Sequence, residues 1–120
     1  MVTPQKLRIA LDVGTHIVNP TNAEDQVQGS IPDATSAMLG QRITLIRGRV
    51  QQSNLHDYPL LRNSHQLPAI EIAWLKADNQ TTGLGEPAYA STLPAFCNVA
   101  FAASGQRVRN YPLSASNLTM

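Results

Sequence analysis

Residues 6–13, Lys-Leu-Arg-Ile-Ala-Leu-Asp-Val, alternate strictly along the chain. Leu7, Ile9, Leu11 and Val13 fall on one face, and Lys6, Arg8, Ala10 and Asp12 on the other. A period of two is the signature of a strand with one buried face, because successive side chains point to opposite sides of a sheet. The segment therefore commits the chain to a sheet that other elements must cover. Gly14 ends the run.

Two segments have the spacing of covering helices. Asn19-Pro20-Thr21 is turn chemistry, since the residue before proline is pushed out of the α region. Thr21-Asn-Ala-Glu24 has the spacing of a capping box, and Ala23, Val27, Ala34 and Met38 follow at helical intervals. The pattern predicts a helix over 22–39, kinked or divided near Pro32, with Gly40 as its C-cap. A second helix is predicted over 92–104. Ser91 or Thr92 would cap it and Pro94 would sit in its first turn. Leu93, Phe96, Ala100, Phe101 and Ala103 would form its apolar stripe, and Gly105 would close it.

Further strands are predicted at 42–46 and 49–54, a hairpin around Arg47-Gly48, and at 69–76, where Ile70, Ile72 and Trp74 share a face. Segments 55–68 and 77–88 read as loops, and 113–120 as a flexible tail. The fold class is α+β: a single domain over 1–120, with a small, mostly antiparallel or mixed sheet of about four strands and two main helices.

Composition narrows the function. A chain of 120 residues makes one domain. Its net charge of +1 argues against a nucleic-acid partner bound through phosphates. Cys97 is the single cysteine, which excludes an internal disulfide framework and a four-cysteine metal or iron–sulfur site. The longest charge-free stretch, 87–106, is broken by Pro94, Asn98 and several hydroxyl residues, unlike the ~20 predominantly apolar residues of a membrane span. With no apolar signal-type run among the first residues, the expected location is cytoplasmic. His56, Asp57 and His65 match no standard metal-ligand spacing, so no metal site is assigned. The Arg47/Arg49 and Arg107/Arg109 pairs read as solvated surface.

Four short segments then occur in a fixed order. They are Asp12-Val-Gly14 with Asn19-Pro20 and Gln26 downstream, then Gly48-Arg-Val-Gln-Gln-Ser-Asn54-Leu-His-Asp57-Tyr58-Pro59, then Gly83-Leu-Gly85-Glu86-Pro87. The last is Ala100-Phe101-Ala102-Ala103-Ser104-Gly105 followed by Arg107, Arg109 and Pro112. Together, over residues 7–112, they resemble the C-terminal part of the molybdopterin-binding large subunit of the xanthine dehydrogenase/aldehyde oxidase family. Within it, the isoquinoline 1-oxidoreductase β-subunit type is the most similar. The resemblance implies a molybdenum hydroxylase acting on aldehydes or N-heteroaromatics, with a molybdopterin-type cofactor and an iron–sulfur subunit as partner.

The resemblance places the family's catalytic glutamate at Glu86. It places cofactor contacts at Gln26, Gly83 and Gly85. The residue types suit those roles. A carboxylate shielded from water becomes a stronger base, an amide both donates and accepts, and glycines let backbone approach a ligand. The sequence departs from the family at Gln28-Gly29-Ser30-Ile31-Pro32-Asp33, where relatives carry Gln-x-Glu-Gly-Gly and a smooth apolar helix.

The family's large chain is several times longer than this one. Two readings follow. In one, the chain is a stand-alone piece of the hydroxylase, not catalytic until the remaining large-subunit chain completes it. In the other, it is a non-catalytic module that binds a protein or small ligand. In either, uncovered apolar surface predicts a homo-oligomer, most simply a dimer.

Overall fold

The computed structural model describes residues 4–62, 65 and 67–116. The elements run β1 (Lys6–Asp12), α1 (Pro20–Leu39), β2 (Leu45–Ile46), β3 (Arg49–Val50), β4 (Ala69–Leu75) and α2 (Pro87–Ser104), followed by a short 3₁₀ turn, Leu113–Ser116. The class is mixed α+β, as the sequence predicts.

The four strands separate into two pairs. β1 and β4 run parallel, with Leu7 beside Ile70, Ile9 beside Ile72 and Leu11 beside Trp74. A parallel pair needs a long crossover, and here the crossover carries α1 and the hairpin. β2 and β3 form a separate antiparallel hairpin, Leu45 opposite Val50 and Ile46 opposite Arg49. It turns at Arg47 and Gly48, both at positive φ (51° and 77°). Its ladder is shorter than the predicted 42–46 and 49–54. Thr44 instead gives its N–H to Gln52 Oε1 at 2.8 Å, a side-chain bond that ends the regular pairing.

The apolar face of the parallel pair is the core. Ile9, Leu11 and Val13 are buried against Val27 and Ile31 of α1 and Ala88 of α2, with Ile72 and Trp74 packed around them. A second cluster joins Met38, Phe96 and Leu113. Leu113 is 1% exposed, which corrects the expectation of a flexible tail at its first residues. Residues 117–120 lie outside the described residues. Cys97 is half-buried and its Sγ lies 3.1 Å from Tyr111 Oη. Burial, and then this contact, push the Tyr111 phenol up to about 12.

The helix starts correct the predicted ones. Asn19, not Thr21, caps α1, and its Oδ1 accepts the Asn22 N–H at 3.0 Å. The reason is Pro20. It occupies the first helical position, for which its fixed φ is suited, and it holds Asn19 in the extended conformation of an N-cap. α1 then continues through Pro32 as one helix of 20 residues, not two. Proline removes one ladder bond there, yet Ile31, Ala34 and Thr35 on either side are buried and hold the segment in place.

α2 begins at Pro87, five residues before the predicted start of 92, again with proline opening the helix. Ser91 and Thr92 therefore do not cap it. Their hydroxyls donate to the Ala88 carbonyl at 3.2 and 2.6 Å, and Pro94 lies inside the helix. Gly105 closes α2 at φ 71°, as glycine readily does.

Candidate functional site

The end of β1 positions the loop before α2. Gly14 sits at φ +92°, and a Cβ there would lie 2.6 Å from the Gln80 carbonyl oxygen and 2.7 Å from Thr81 Cα. Only glycine allows that approach. Around it, Thr15 N–H donates to Asn79 O and Thr82 N–H to Val13 O, both at 3.1 Å. Asp12 accepts from the Gly14 N–H and from Asn79 Nδ2, each at 3.0 Å. This clamp pins 79–82 to β1. Leu84 then packs on the core and Ala88 is buried in it, so Gly85 and Glu86 are held at the head of α2, beside α1.

There they meet one face of α1. Asp25, Gln26, Gly29, Ser30 and Asp33, on successive turns of α1, line a concavity of about 590 Å³ together with Gly85, Glu86 and Tyr89. Three of the four residues singled out from the sequence, Gln26, Gly85 and Glu86, thus converge. Gly83 is not among the lining residues. Gln26 also lines the adjoining hollow between Val13, His16, Asn22 and Thr82, so its side chain stands between the two spaces.

Asp25, Gly29, Ser30, Asp33 and Tyr89 are the lining residues that sequence reasoning misses. Their signal is spacing: 26, 29–30 and 33 recur at helical intervals from a glutamine already marked, and Tyr89 follows Glu86 by three residues. Asp33, one of the departures from the family pattern, belongs to the lining rather than to the core.

The lining is polar and acidic. It holds three carboxylates, an amide and two hydroxyls, with no lysine or arginine. Burial first, then the charges of Asp33, Tyr58 and Glu86, raise the Tyr89 phenol above its ordinary range. Tyr89 is thus a persistent hydroxyl donor at neutral pH. The Glu86 side chain makes no capping bond to α2, and the residue is exposed. Its carboxylate oxygens are therefore uncommitted to the helix. Gly29 and Gly85 leave open space where a Cβ would project, so a ligand can lie close to the backbone at both.

The other constellations resolve as structure. Asp57 accepts the Ser53 and Asn54 N–H groups at 2.9–3.1 Å, and these bonds hold its carboxyl below the usual range. Its 3.6 Å contact with His56 is an edge of that turn. His65 Nδ1 pairs with the Arg62 backbone instead. Among the described residues, no three His, Cys, Asp or Glu side chains group as metal ligands. Arg107 stacks on the Phe101 ring, 4.0 Å from its centroid. None of the described helices is long and apolar enough to cross a membrane.

No protein-family model matches the chain. Individual relatives do. It is 34% identical over 104 residues to the beta chain of isoquinoline 1-oxidoreductase from Brevundimonas diminuta, covering 87% of this chain and 13% of that protein. It is 34% identical over 113 residues to a membrane-bound aldehyde dehydrogenase (pyrroloquinoline-quinone) of Gluconacetobacter polyoxogenes, covering 94% and 14%. A nicotinate dehydrogenase chain of Pseudomonas putida is 29% identical over 118 residues, covering 98% and 10%. The chain thus spans only 10–14% of the length of these relatives.

The fold recurs in solved structures. Quinoline 2-oxidoreductase from Pseudomonas putida 86 superposes with a TM-score of 0.76 at 24% identity, over 91% of this chain and 15% of that one. A Cu,Mo-CO dehydrogenase gives 0.72 at 23%, over 89% and 14%. Sequence and fold agree: in sequence the chain resembles one segment of the molybdopterin-binding subunit of the xanthine dehydrogenase/aldehyde oxidase family, and it shares the fold of the two solved structures.

Proposed function

We propose that this chain is the C-terminal cofactor-domain segment of a molybdenum hydroxylase whose substrates are aldehydes or electron-poor N-heteroaromatics. One observation carries the reading: Gln26 of α1 and Glu86 at the head of α2 line one polar concavity, in a fold shared with such enzymes. A molybdopterin-type cofactor, when bound, supplies the oxygen to be transferred and takes up the two electrons removed from substrate.

The lining suits one part of that group. Gln26 and Ser30 offer the donors and acceptors a pterin edge requires, and the open sides of Gly29 and Gly85 admit it. Three carboxylates repel a phosphate, so the phosphate end belongs to surfaces outside this chain. In this reading Glu86 is the general base and accepts a proton at a carboxylate oxygen. Gln26 orients the cofactor, and Gly85, with Gly83 behind it, keeps the approach clear.

The isolated chain does not catalyse. Its concavity is open and Glu86 is exposed, whereas general-base chemistry needs a positioned and sheltered partner. The remaining large-subunit polypeptide closes the pocket, and an iron–sulfur subunit carries the electrons away. Alone, the chain self-associates, most simply as a dimer. The β2–β3 hairpin supports that, with Ile43, Leu45, Ile46 and Val50 each 46–66% exposed. A cytoplasmic location completes the proposal.

The test is co-expression with the polypeptide encoded beside it, followed by metal analysis of the purified complex. The reading predicts molybdenum close to one per complex. A complex that forms without molybdenum, or no complex at all, supports instead a non-catalytic module.

A further inference from the structure

We propose that the groove between the free edge of β1 and α2 is the seat of an extended strand from the complementary large-subunit polypeptide. The inference rests on the reading of the chain as a segment of a larger subunit, and it names the surface at which the two parts join.

The edge is identified by hydrogen bonding. Ala69 N–H donates to Gln5 O at 3.1 Å, so odd-numbered residues of β1 turn their backbone groups toward β4. Lys6, Arg8 and Ala10 turn theirs away. Among the described residues no strand pairs there, and the parallel sheet stops at two strands. A parallel sheet of two strands is incomplete, since parallel pairing is stable chiefly within larger covered sheets. Among the described residues the outer edge of β4 is unpaired as well, and the position of α2 distinguishes the edge of β1 from it.

α2 supplies the roof. It packs against α1 and β1 more than against β4, which places it toward the open side of β1. Ala88, Thr92, Phe96 and Ala100 are its buried stripe, and Ser91, Ala95 and Val99 follow beside it at the same four-residue interval. That second stripe is uncovered, with Val99 47% exposed. Two hollows of about 180 and 190 Å³ lie between it and β1, and they share Leu7, Arg8 and Ala95, so they form one continuous groove. α2 contains no charged residue. A helix apolar on so much of its surface is one that is covered in its working state.

The occupant follows from shape and charge. It is an extended segment whose backbone pairs with Lys6, Arg8 and Ala10 and whose alternate apolar side chains meet Ala95 and Val99. Lys6 and Arg8 share the single carboxylate of Glu71, which leaves an excess positive charge at the rim and favours an acidic residue in the partner. A second copy fits poorly. Pairing β1 with its own copy would put two α2 helices, each about 10 Å across, over strands about 4.8 Å apart. The required material lies elsewhere in the large chain, of which this one spans 10–14% in its relatives.

The probe is a synthetic peptide with the sequence of residues 5–13, an alternating strand with no attached helix. Laid antiparallel with Ala10 opposite Ala10, it sets its Asp12 against Arg8 of the chain. With isotope-labelled chain, saturating peptide is expected to shift the amide signals of Lys6, Arg8 and Ala10 and to slow their hydrogen exchange at least tenfold. The methyl groups of Ala95 and Val99 should contact the peptide. Ala10→Pro removes one outward donor, and Ala95→Lys fills the groove; each should abolish binding while circular dichroism and melting temperature stay unchanged. Absence of binding, binding that persists in both variants, or shifts confined to β4 would overturn the proposal. So would a dimer of the chain alone that Ala10→Pro dissolves, since that makes a second copy the occupant. Molybdenum in the co-purified complex is scored separately, so a failed groove and a failed cofactor reading are told apart.

Discussion

Gln26 of α1 and Glu86, the residue that immediately precedes α2, line the same concavity. What brings them together is the clamp at Gly14, where the 79–82 loop passes over β1 closer than van der Waals contact would allow to any side chain at that position. The site's geometry is therefore set by backbone packing, and its chemistry by exposed side chains. Mutations should separate the two.

Gly14→Ala should destabilise the chain by more than about 1 kcal/mol, because a side chain is strained at φ +92° and would strike the Gln80 carbonyl. Chemical denaturation checks the stability. The variant should also lose exchange protection at the Thr15 and Thr82 amides, the two that bond across the clamp.

Asn19→Ala should cost about 1 kcal/mol, the usual worth of an N-cap side chain. Thr21→Ala should change stability by less than about 0.5 kcal/mol, since Thr21 is an exposed helical residue rather than the cap. The pair of melting curves distinguishes the cap seen in the structure from the one predicted by spacing.

Glu71 links pH to stability. Its hydrogen bond to Lys6 at 2.5 Å, then that to Arg8 at 2.8 Å, lower its carboxyl from 4.5 to about 2. The unfolded chain therefore binds this proton more readily than the folded one. The stabilisation is complete above about pH 4.5 and is lost as pH falls through about 2. Glu71→Gln should flatten stability across that window, as denaturation midpoints measured against pH will show. Because the three side chains are about half or more exposed, added salt should shrink the effect in the wild type.

The legible parts of the fold are those with strong local signals. The strict alternation of β1 and β4 marks them as strands, and Gly40 and Gly105 mark both helix ends. The helix starts mislead for one reason: Pro20 and Pro87 open their helices, while hydroxyl residues further on suggest caps that the structure does not use. The parallel pairing of β1 with β4 has no local trace, since register across a crossover depends on packing between distant segments.

At the site, Glu86, Gln26 and Gly85 are reachable through ordered motifs. Asp33 and Tyr89 are not, because their place in the lining exists only when α1 lies beside the head of α2. Gly83 carries the opposite lesson. It belongs to the same motif as Gly85, yet it does not line the concavity, so motif membership alone does not decide contact.

Turnover by the assembled complex carrying Glu86→Gln, with molybdenum content measured alongside, tests the assignment of the general base most directly. Glu86 is exposed and caps no helix through its side chain, so the variant should fold within about 0.5 kcal/mol of the wild type. The expected result is unchanged molybdenum and a loss of activity of about 10²–10⁴-fold, the usual contribution of a general base. Undiminished turnover at unchanged molybdenum would contradict it.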